Sequence, residues 1–256
     1  MNFIDTHTHL YLSEFDIDRS EMVQRSIDHH VNKCILPNID STSIPLINKM
    51  REEFPNFSYK AMGLHPTSVK EDFQDELNIV YDELKKGDSI AVGEMGIDLY
   101  WDKSFYEQQK EAFRIQVKWA KELNLPLIIH SRDSFNEIFE LMDEVWDENL
   151  QGVFHCFSGN SEQAERIVND YKFKLGIGGV LTFKNSKLDE ALSGIEIEHI
   201  ILETDAPFLS PVPYRGKRNE SSYIPFIAQK ISEINSISVE EVSDITTKNA
   251  QELFNI

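Results

Sequence analysis

The sequence lacks long apolar runs and contains only two cysteines among its 256 residues. No stretch approaches the roughly 20 apolar residues that span a bilayer. Met1 also leads directly into strand-like sequence, without the basic and apolar segments of a secretion signal. Cys34 and Cys156 lie in apolar, strand-like runs, which favours buried free thiols over a disulfide. These absences predict a cytoplasmic protein with no membrane partner.

Positive charge is scarce as well: 25 Lys and Arg residues stand against 44 Asp and Glu residues, which gives a net charge of −19. Proteins that coat duplex DNA neutralise many phosphates with basic side chains, so this composition excludes that class. A polyanionic substrate must therefore be bound locally. The sequence does not fix the oligomeric state and is compatible with a monomer.

Short β-like runs alternate with amphipathic helical stretches, which predicts a parallel sheet wrapped by helices. Such a barrel needs roughly 250 residues, so we expect an α/β fold with a single (β/α)8 TIM barrel over residues 1–256 and its site at the C-terminal ends of the strands. The predicted strands are 2–8, 33–38, 57–63, 89–94, 126–130, 152–156, 173–178 and 199–204. The predicted helices are 18–30, 41–53, 74–86, 104–123, 134–147, 161–170, 185–193, 221–235 and 238–254.

Histidines and carboxylates gather at these predicted strand ends. His7 and His9 are two residues apart on a strand, so both face one side and can bind one ion. Glu94 and Asp205 end the fourth and eighth predicted strands. The candidate metal ligands are His7, His9, Glu94, His130, His155 and Asp205. Nitrogen with oxygen donors favours Zn²⁺, Mn²⁺ or iron, and a set of this size exceeds one tetrahedral ion. We therefore expect two divalent ions.

Other polar residues fall near the same rim. His65 follows the third predicted strand and is a candidate donor to a substrate phosphate or to bound water. Arg132 could hold a phosphate bidentately, or pair with Asp133 or Glu137. The last long loop carries further candidate phosphate contacts, and Gly176–Gly179 offer a weaker one. An aromatic group after the fourth predicted strand could stack on an unpaired base. These loop cations are Arg215, Lys217 and Arg218, and the aromatic group is Tyr100, Trp101 and Tyr106.

Seven segments in this order resemble the TatD-related deoxyribonuclease family over nearly the whole chain. They are Asp5-Thr6-His7-Thr8-His9, Gly63-Leu64-His65-Pro66, Gly93-Glu94-Met95-Gly96-Ile97-Asp98, His130-Ser131-Arg132, His155-Cys156-Phe157-Ser158-Gly159, Glu203-Thr204-Asp205-Ala206-Pro207 and Arg215-Gly216-Lys217-Arg218-Asn219-Glu220. The resemblance implies a TIM barrel with a divalent-metal centre that acts on DNA as a 3′-to-5′ exonuclease or an endonuclease.

The same resemblance implies the six ligands named above, with Glu94 as the bridge and Asp205 as a ligand that doubles as general base. Leu99 and Ser221 depart from the family pattern, which commonly has an aromatic residue and a proline there. Charge scarcity favours DNA ends or single strands as the substrate. The resemblance points to Mg²⁺, whereas the ligand set points to Zn²⁺ or Mn²⁺.

Two alternatives remain. A hydrolase of the wider amidohydrolase superfamily would act on another ester, amide or lactone, such as a phosphotriester. Many such enzymes bridge their metals with a carboxylated lysine on the fourth strand, where this chain has Glu94. A non-enzymatic metal-binding barrel is the second alternative, and it would be expected to have lost ligands.

Overall fold

The computed structural model describes residues 1–256, in which eight strands alternate with helices. The strands are β1 (Phe3–Asp5), β2 (Val31–Pro37), β3 (Ser58–Ala61), β4 (Val92–Asp98), β5 (Leu127–Arg132), β6 (Gly152–Phe154), β7 (Lys174–Ile177) and β8 (Ile200–Leu202). The helices are α1 (Arg19–Asp28), α2 (Ile44–Glu53), α3 (Phe73–Leu84), α4 (Tyr106–Leu123), α5 (Phe135–Val145), α6 (Ser161–Asn169), α7 (Leu188–Leu192), α8 (Ile224–Asn235) and α9 (Val239–Phe254). All eight predicted strands are therefore present.

The strands form a (β/α)8 barrel, as predicted. All neighbours pair in parallel, in the order β1-β2-β3 and β4-β5-β6-β7-β8. A single bridge between Met62 and Val92 joins the two groups on one side. On the other side the amide of Thr6 donates to the carbonyl of Leu202 at 3.0 Å. Residues from the first and the last strand therefore meet at one edge.

Alternation along the strands produces two apolar layers. The outer layer packs the strands against the helices and holds most of the buried apolar side chains. A smaller inner layer takes residues from seven of the strands or their flanks, and the end of α9 packs against it. Its members are Ile4, Ile35, Ala61, Ala91, Ile128, Val153 and Ile201, with Ala250, Leu253 and Phe254 from α9. An apolar layer thus fills the barrel and leaves its polar groups to the loops that follow the strands.

The boundaries of two strands differ from the prediction in a way that matters for the site. β1 ends at Asp5, so His7 and His9 lie in the following loop and strand alternation does not orient them. β4 begins at Val92 and runs to Asp98, so Glu94 lies within the strand and does not end it. The reason is the partner strand, because β4 stays paired with β5 up to Asp98 and Arg132.

The two cysteines are free, as expected, but only Cys34 is fully buried, whereas Cys156 is partly exposed. No helix combines the length and the apolar character that crossing a bilayer requires.

Candidate metal centre

Five histidines and two carboxylates meet where the strands end. Glu94 comes from β4 and His130 from β5, whereas the others belong to the loops after β1, β3, β6 and β8. Glu94 lies at the centre and is only 2% exposed. Around it are His7, His9, His65, His130, His155 and Asp205. The structure therefore brings together all seven side chains that the sequence placed at this rim.

The Oε2 atom of Glu94 faces one group of donors. The Nε2 atoms of His7 and His9 lie 3.1 Å and 3.7 Å from it. The Oδ1 atom of Asp205 completes this half, at 3.8 Å from Nε2 of His7 and 3.5 Å from Nε2 of His9. Two imidazoles and two carboxylate oxygens therefore converge on one point.

The Oε1 atom of Glu94 faces a second group. The Nε2 atom of His155 lies 2.7 Å from it, and Nδ1 of His130 lies 2.8 Å from it. These two nitrogens are 3.3 Å apart. His65 approaches the same oxygen with Nε2 at 3.1 Å. The carboxylate of Glu94 thus divides the cluster into two halves.

The donors fit a divalent ion. Ligands at about 2.0–2.2 Å from a tetrahedral ion lie about 3.3–3.6 Å from one another. The separations in the half around Oε2, 3.1–3.8 Å, are close to this range, and the nitrogens of His130 and His155 in the other half are 3.3 Å apart. His7 provides a second observation, since both of its ring nitrogens are buried and neither has a hydrogen-bond partner. An imidazole in that position is costly unless something else binds it. The side chains of the centre therefore suit a metal, with nitrogen and oxygen donors in each half.

Burial and neighbouring charges shift the pKa values of the side chains in the centre. Burial disfavours the charged form of Glu94, but the imidazoles of His155, His65 and His7 outweigh it and hold its pKa well below the ordinary value. For His155, burial opposes protonation, but the charges of Glu94 and Glu203 raise its pKa well above the ordinary value. Burial and the nearby His155 lower the pKa of His7. His155 therefore holds a proton in contact with Glu94. Burial opposes protonation of His130 as well, but its hydrogen bonds to Asp98 and Glu94 outweigh burial and raise its pKa.

Groups behind the histidines fix which ring nitrogen faces the centre. The hydroxyl of Tyr11 donates to the carbonyl of Pro37 at 2.7 Å, so it must accept from Nδ1 of His9 at 2.8 Å. This leaves Nε2 of His9 unprotonated towards Glu94. On the other half, Asp98 lies 3.0 Å from Nε2 of His130 and leaves Nδ1 to face Glu94. Such carboxylate and hydroxyl partners orient metal-binding imidazoles.

His65 carries its hydrogen on the other ring nitrogen from His9. The amide of Thr67 donates to its Nδ1 at 3.1 Å, so this nitrogen carries no proton. Burial lowers the pKa of His65, so the ring is neutral and its Nε2 carries the hydrogen. An N–H group cannot bind a metal through the same nitrogen. The geometry therefore agrees with His65 as a donor, as its position in the sequence indicated.

Local backbone features place Asp205 and His130. Asp205 has a φ of 56°, in the left-handed region that Asp and Asn tolerate better than most residues. Its amide donates to the carbonyl of His7 at 2.9 Å, which ties the eighth loop to the first. Gly96 lies so close to β5 that a Cβ atom there would be 1.9 Å from the carbonyl oxygen of His130. Glycine at this position therefore permits the pairing that presents His130.

The predicted phosphate contacts separate into two groups. Arg132 is exposed and stacks on Tyr100 at 3.9 Å from the ring centre, and Arg215 stacks on Phe183 at 3.6 Å. Lys217 is also exposed. Arg218 is different, because it pairs with Asp18 at 2.7 Å and lies over the Phe15 ring. Its guanidinium is engaged within the protein, which argues against a phosphate contact.

Gly176–Gly179 do not form an open loop for a phosphate either. Gly176, Gly178 and Gly179 are buried, and a Cβ atom on Gly176 would lie 2.2 Å from Oε2 of Glu203. The glycines make room for Glu203, which accepts a 2.6 Å hydrogen bond from the amide of Cys156. A carboxylate in this position is incompatible with a phosphate on the same backbone.

Sequence reasoning missed two residues that act on the histidines. Tyr11 follows His9 by two residues, but only the fold shows that its hydroxyl also meets Pro37. Asp98 was visible at the end of the segment that begins at Gly93, and its carboxylate also accepts hydrogen bonds from the amides of Tyr100 and Trp101. The useful signal for Asp98 would have been its register opposite Arg132 in β5.

Replacing Tyr11 with Phe should weaken metal binding by roughly 10- to 100-fold, as expected for loss of an outer partner of a metal ligand. Without the hydroxyl, Nδ1 of His9 loses its acceptor and the ring can rotate or change tautomer. The dissociation constant for Mn²⁺, measured by titration calorimetry, checks this. Tyr171→Phe is the matched control, because its hydroxyl contacts Phe139 and Asp143 far from the centre. Equal affinities in both variants would contradict the role of Tyr11.

Metal binding should release a proton. Because the pKa of His155 is raised, this residue is protonated in the metal-free protein at neutral pH, and an ion must displace that proton. Metal affinity should therefore increase by up to about tenfold per pH unit for each proton displaced, until the pKa is passed. The stability of the metal-free fold should change in the opposite direction, since the raised pKa stabilises it fully below the ordinary value of 6.5 and less as pH rises. Calorimetry in two buffers of different ionisation enthalpy measures the proton, and a pH-independent affinity would contradict this prediction.

Fold and centre together define a metal-dependent hydrolase on a barrel scaffold. Known proteins agree: the chain is 39% identical to the uncharacterized metal-dependent hydrolase YabD of Bacillus subtilis, over 98% of both chains. It is 28% identical to the uncharacterized metal-dependent hydrolase YcfH of Escherichia coli, over 100% of this chain and 97% of the relative. The crystal structure of the TatD homologue YjjV from Escherichia coli superposes with a TM-score of 0.92, at 29% identity, over 99% of this chain and 98% of the other.

The profile of the TatD related DNase family matches residues 4–255. The chain therefore belongs to the TatD related DNase family, which confirms the resemblance seen in the sequence.

Proposed function

We propose that this protein hydrolyses phosphodiester bonds in DNA with two divalent ions, as a 3′-to-5′ exonuclease that acts on ends or single strands. The observation that carries the proposal is the division of the donors between the two oxygens of Glu94. His7 and Asp205 lie on the Oε2 side, and His130 and His155 lie on the Oε1 side. The description of the family as DNases supports the choice of DNA.

One ion would be held by His7, His9, Asp205 and one oxygen of Glu94, and the other by His130, His155 and the second oxygen. Two ions at about 3.5–4 Å supply an activated water and neutralise the charge that develops on the phosphoryl oxygens. Tyr11 and Asp98 orient the imidazoles of His9 and His130 for this purpose.

Asp205 is the proposed general base. Burial would raise its pKa, but the neighbouring imidazoles of His9 and His7 outweigh burial and lower it, so the carboxylate is ionised at neutral pH. It can then receive the proton of the attacking water. His65, whose Nε2 carries hydrogen, is placed to donate to an oxygen of the phosphate.

The charge distribution supports unpaired DNA as the substrate. The chain is strongly acidic, and Arg218 is neutralised by Asp18. The remaining cations among the predicted contacts are Arg132, Arg215 and Lys217, which can meet only a few phosphates. Trp101 and Tyr100 are 68% and 53% exposed, and their rings can stack on unpaired bases.

A product ladder tests this proposal. The protein is stripped with a chelator and reloaded with Mg²⁺, Mn²⁺ or Zn²⁺, and its metal content is measured. Single strands labelled at the 5′ end should give a ladder that shortens progressively, whereas strands labelled at the 3′ end should lose their label at once as a mononucleotide. A phosphotriester and a lactone serve as alternative substrates. Hydrolysis of either of these, with no cleavage of DNA by any of the three loaded forms, would overturn the proposal.

A further inference from the structure

A small pocket lies between the loops that follow β7 and β8. Its volume is about 440 Å³. Val180, Phe183 and Val212 form an apolar wall, and Lys184 and Arg215 lie at its border. The two loops are joined by a 2.8 Å hydrogen bond from the amide of Val212 to the hydroxyl of Thr182. The pocket is therefore formed by two loops that are hydrogen-bonded to each other.

The pocket opens at the same end of the barrel as the metal centre. Its second loop starts directly after Asp205, and Phe208 on that loop lies 6.4 Å from His9, measured between ring centres. Leu209 packs onto the first loop, where a Cβ atom on Gly179 would be 2.1 Å from its carbonyl oxygen. The loop thus runs from the centre, past Phe208, to the pocket.

The chemistry of the lining points to an anion that carries a flat apolar group. No acidic residue lines the pocket, although acidic residues outnumber basic ones by 44 to 25 in the chain. The guanidinium of Arg215 lies with its face on the Phe183 ring, 3.6 Å from the ring centre. Its N–H edge is then free to bind a phosphate bidentately. The apolar wall beside it suits a base.

We infer that this pocket binds one unpaired nucleotide of a DNA strand, adjacent to the phosphodiester bond that is cut. The inference rests on the proposed nuclease function and specifies its substrate. The base packs against Val180, Val212 and Phe183, and its phosphate contacts Arg215 and Lys184. A volume of about 440 Å³ is of the order of one nucleotide, which is why we assign a single unpaired base to this pocket.

Arg215→Gln tests the inference. A fluorescent single strand of about 12 nucleotides with phosphorothioate links is bound to the Mn²⁺-loaded protein, and its dissociation constant is read from anisotropy. We expect binding to weaken by about tenfold, as for loss of a charge-assisted bidentate contact. Arg114→Gln is the matched control, since it removes the same charge from an exposed pair with Glu144, and it should bind as the unaltered protein does. The Mn²⁺ content of all three proteins, measured alongside, should be equal, so that a change in binding does not arise at the metal centre.

Phe183→Ala adds a test of the base. This variant should weaken binding of a normal strand several-fold but leave binding of an abasic strand of the same length unchanged. The inference is overturned if Arg215→Gln binds as well as Arg114→Gln, or if Phe183→Ala affects normal and abasic strands equally. These results are separable from failure of the proposed function. Binding that depends on Arg215 without any hydrolysis would overturn the proposed nuclease activity but would support the nucleotide-binding pocket.

Discussion

Asp205→Asn should lower the rate of phosphodiester hydrolysis by about a thousandfold, within the range for loss of a general base. The amide keeps one oxygen towards His7 and His9 but cannot accept the proton of the attacking water. The fold should persist, because Asn tolerates the left-handed backbone at this position as well as Asp does. The hydrogen bond from the backbone amide of residue 205 to the carbonyl of His7 is also unaffected. Initial rates with the Mn²⁺-loaded protein measure the loss.

A thermal melt and a metal analysis accompany that measurement. Near-normal turnover of Asp205→Asn would exclude Asp205 as the base. If metal content falls together with the rate, rates are repeated at saturating Mn²⁺, since a deficit that persists with full occupancy belongs to proton transfer. Asp205→Ala is expected to melt at a lower temperature than Asp205→Asn, because alanine is less stable than asparagine in the left-handed conformation.

Glu94→Gln should have the broader effect, because it removes the carboxylate shared by both halves of the centre. We expect metal affinity to fall by more than about 100-fold, beyond the effect of losing an outer partner, and hydrolysis to fall at least about a thousandfold. The cause is the loss of the negative charge that faces His155 at 2.7 Å and His130 at 2.8 Å. Metal-to-protein ratios after gel filtration provide the readout.

Glu83→Gln is the control for losing a buried carboxylate as such. Glu83 pairs with the buried Lys60 at 2.9 Å, away from the centre. The Glu83→Gln variant should have a lower melting temperature and an unchanged metal content. If Glu94→Gln retained both ions and normal turnover, the carboxylate of Glu94 would not be required for metal binding or for hydrolysis.

The sequence was sufficient to predict the barrel, Glu94 and the six side chains around it, because all of these depend on patterns along the chain. Strand ends bring such residues to one rim in a parallel barrel whatever the details of packing. Even so, His7 and His9 converge through a loop and not through strand alternation. The physical reason for their common direction is therefore not the one that the sequence predicted.

The partners of those side chains could not be predicted, because they depend on contacts between distant segments. Tyr11 is fixed by a carbonyl at Pro37, and Arg218 finds Asp18 some 200 residues earlier in the chain. Charge counting alone treats Arg215 and Arg218 alike, and only the fold separates them. The same is true of Gly176, whose missing side chain makes room for Glu203.

The two oxygens of Glu94 face unequal surroundings. Both halves of the centre contribute two imidazoles, but the half with Asp205 adds a second carboxylate. Imidazole nitrogens suit a borderline ion such as Zn²⁺ in either half, and the extra carboxylate makes the half with Asp205 the more negative one. We therefore expect divalent ions to bind the two halves with different affinity, so that a chelator removes one ion before the other.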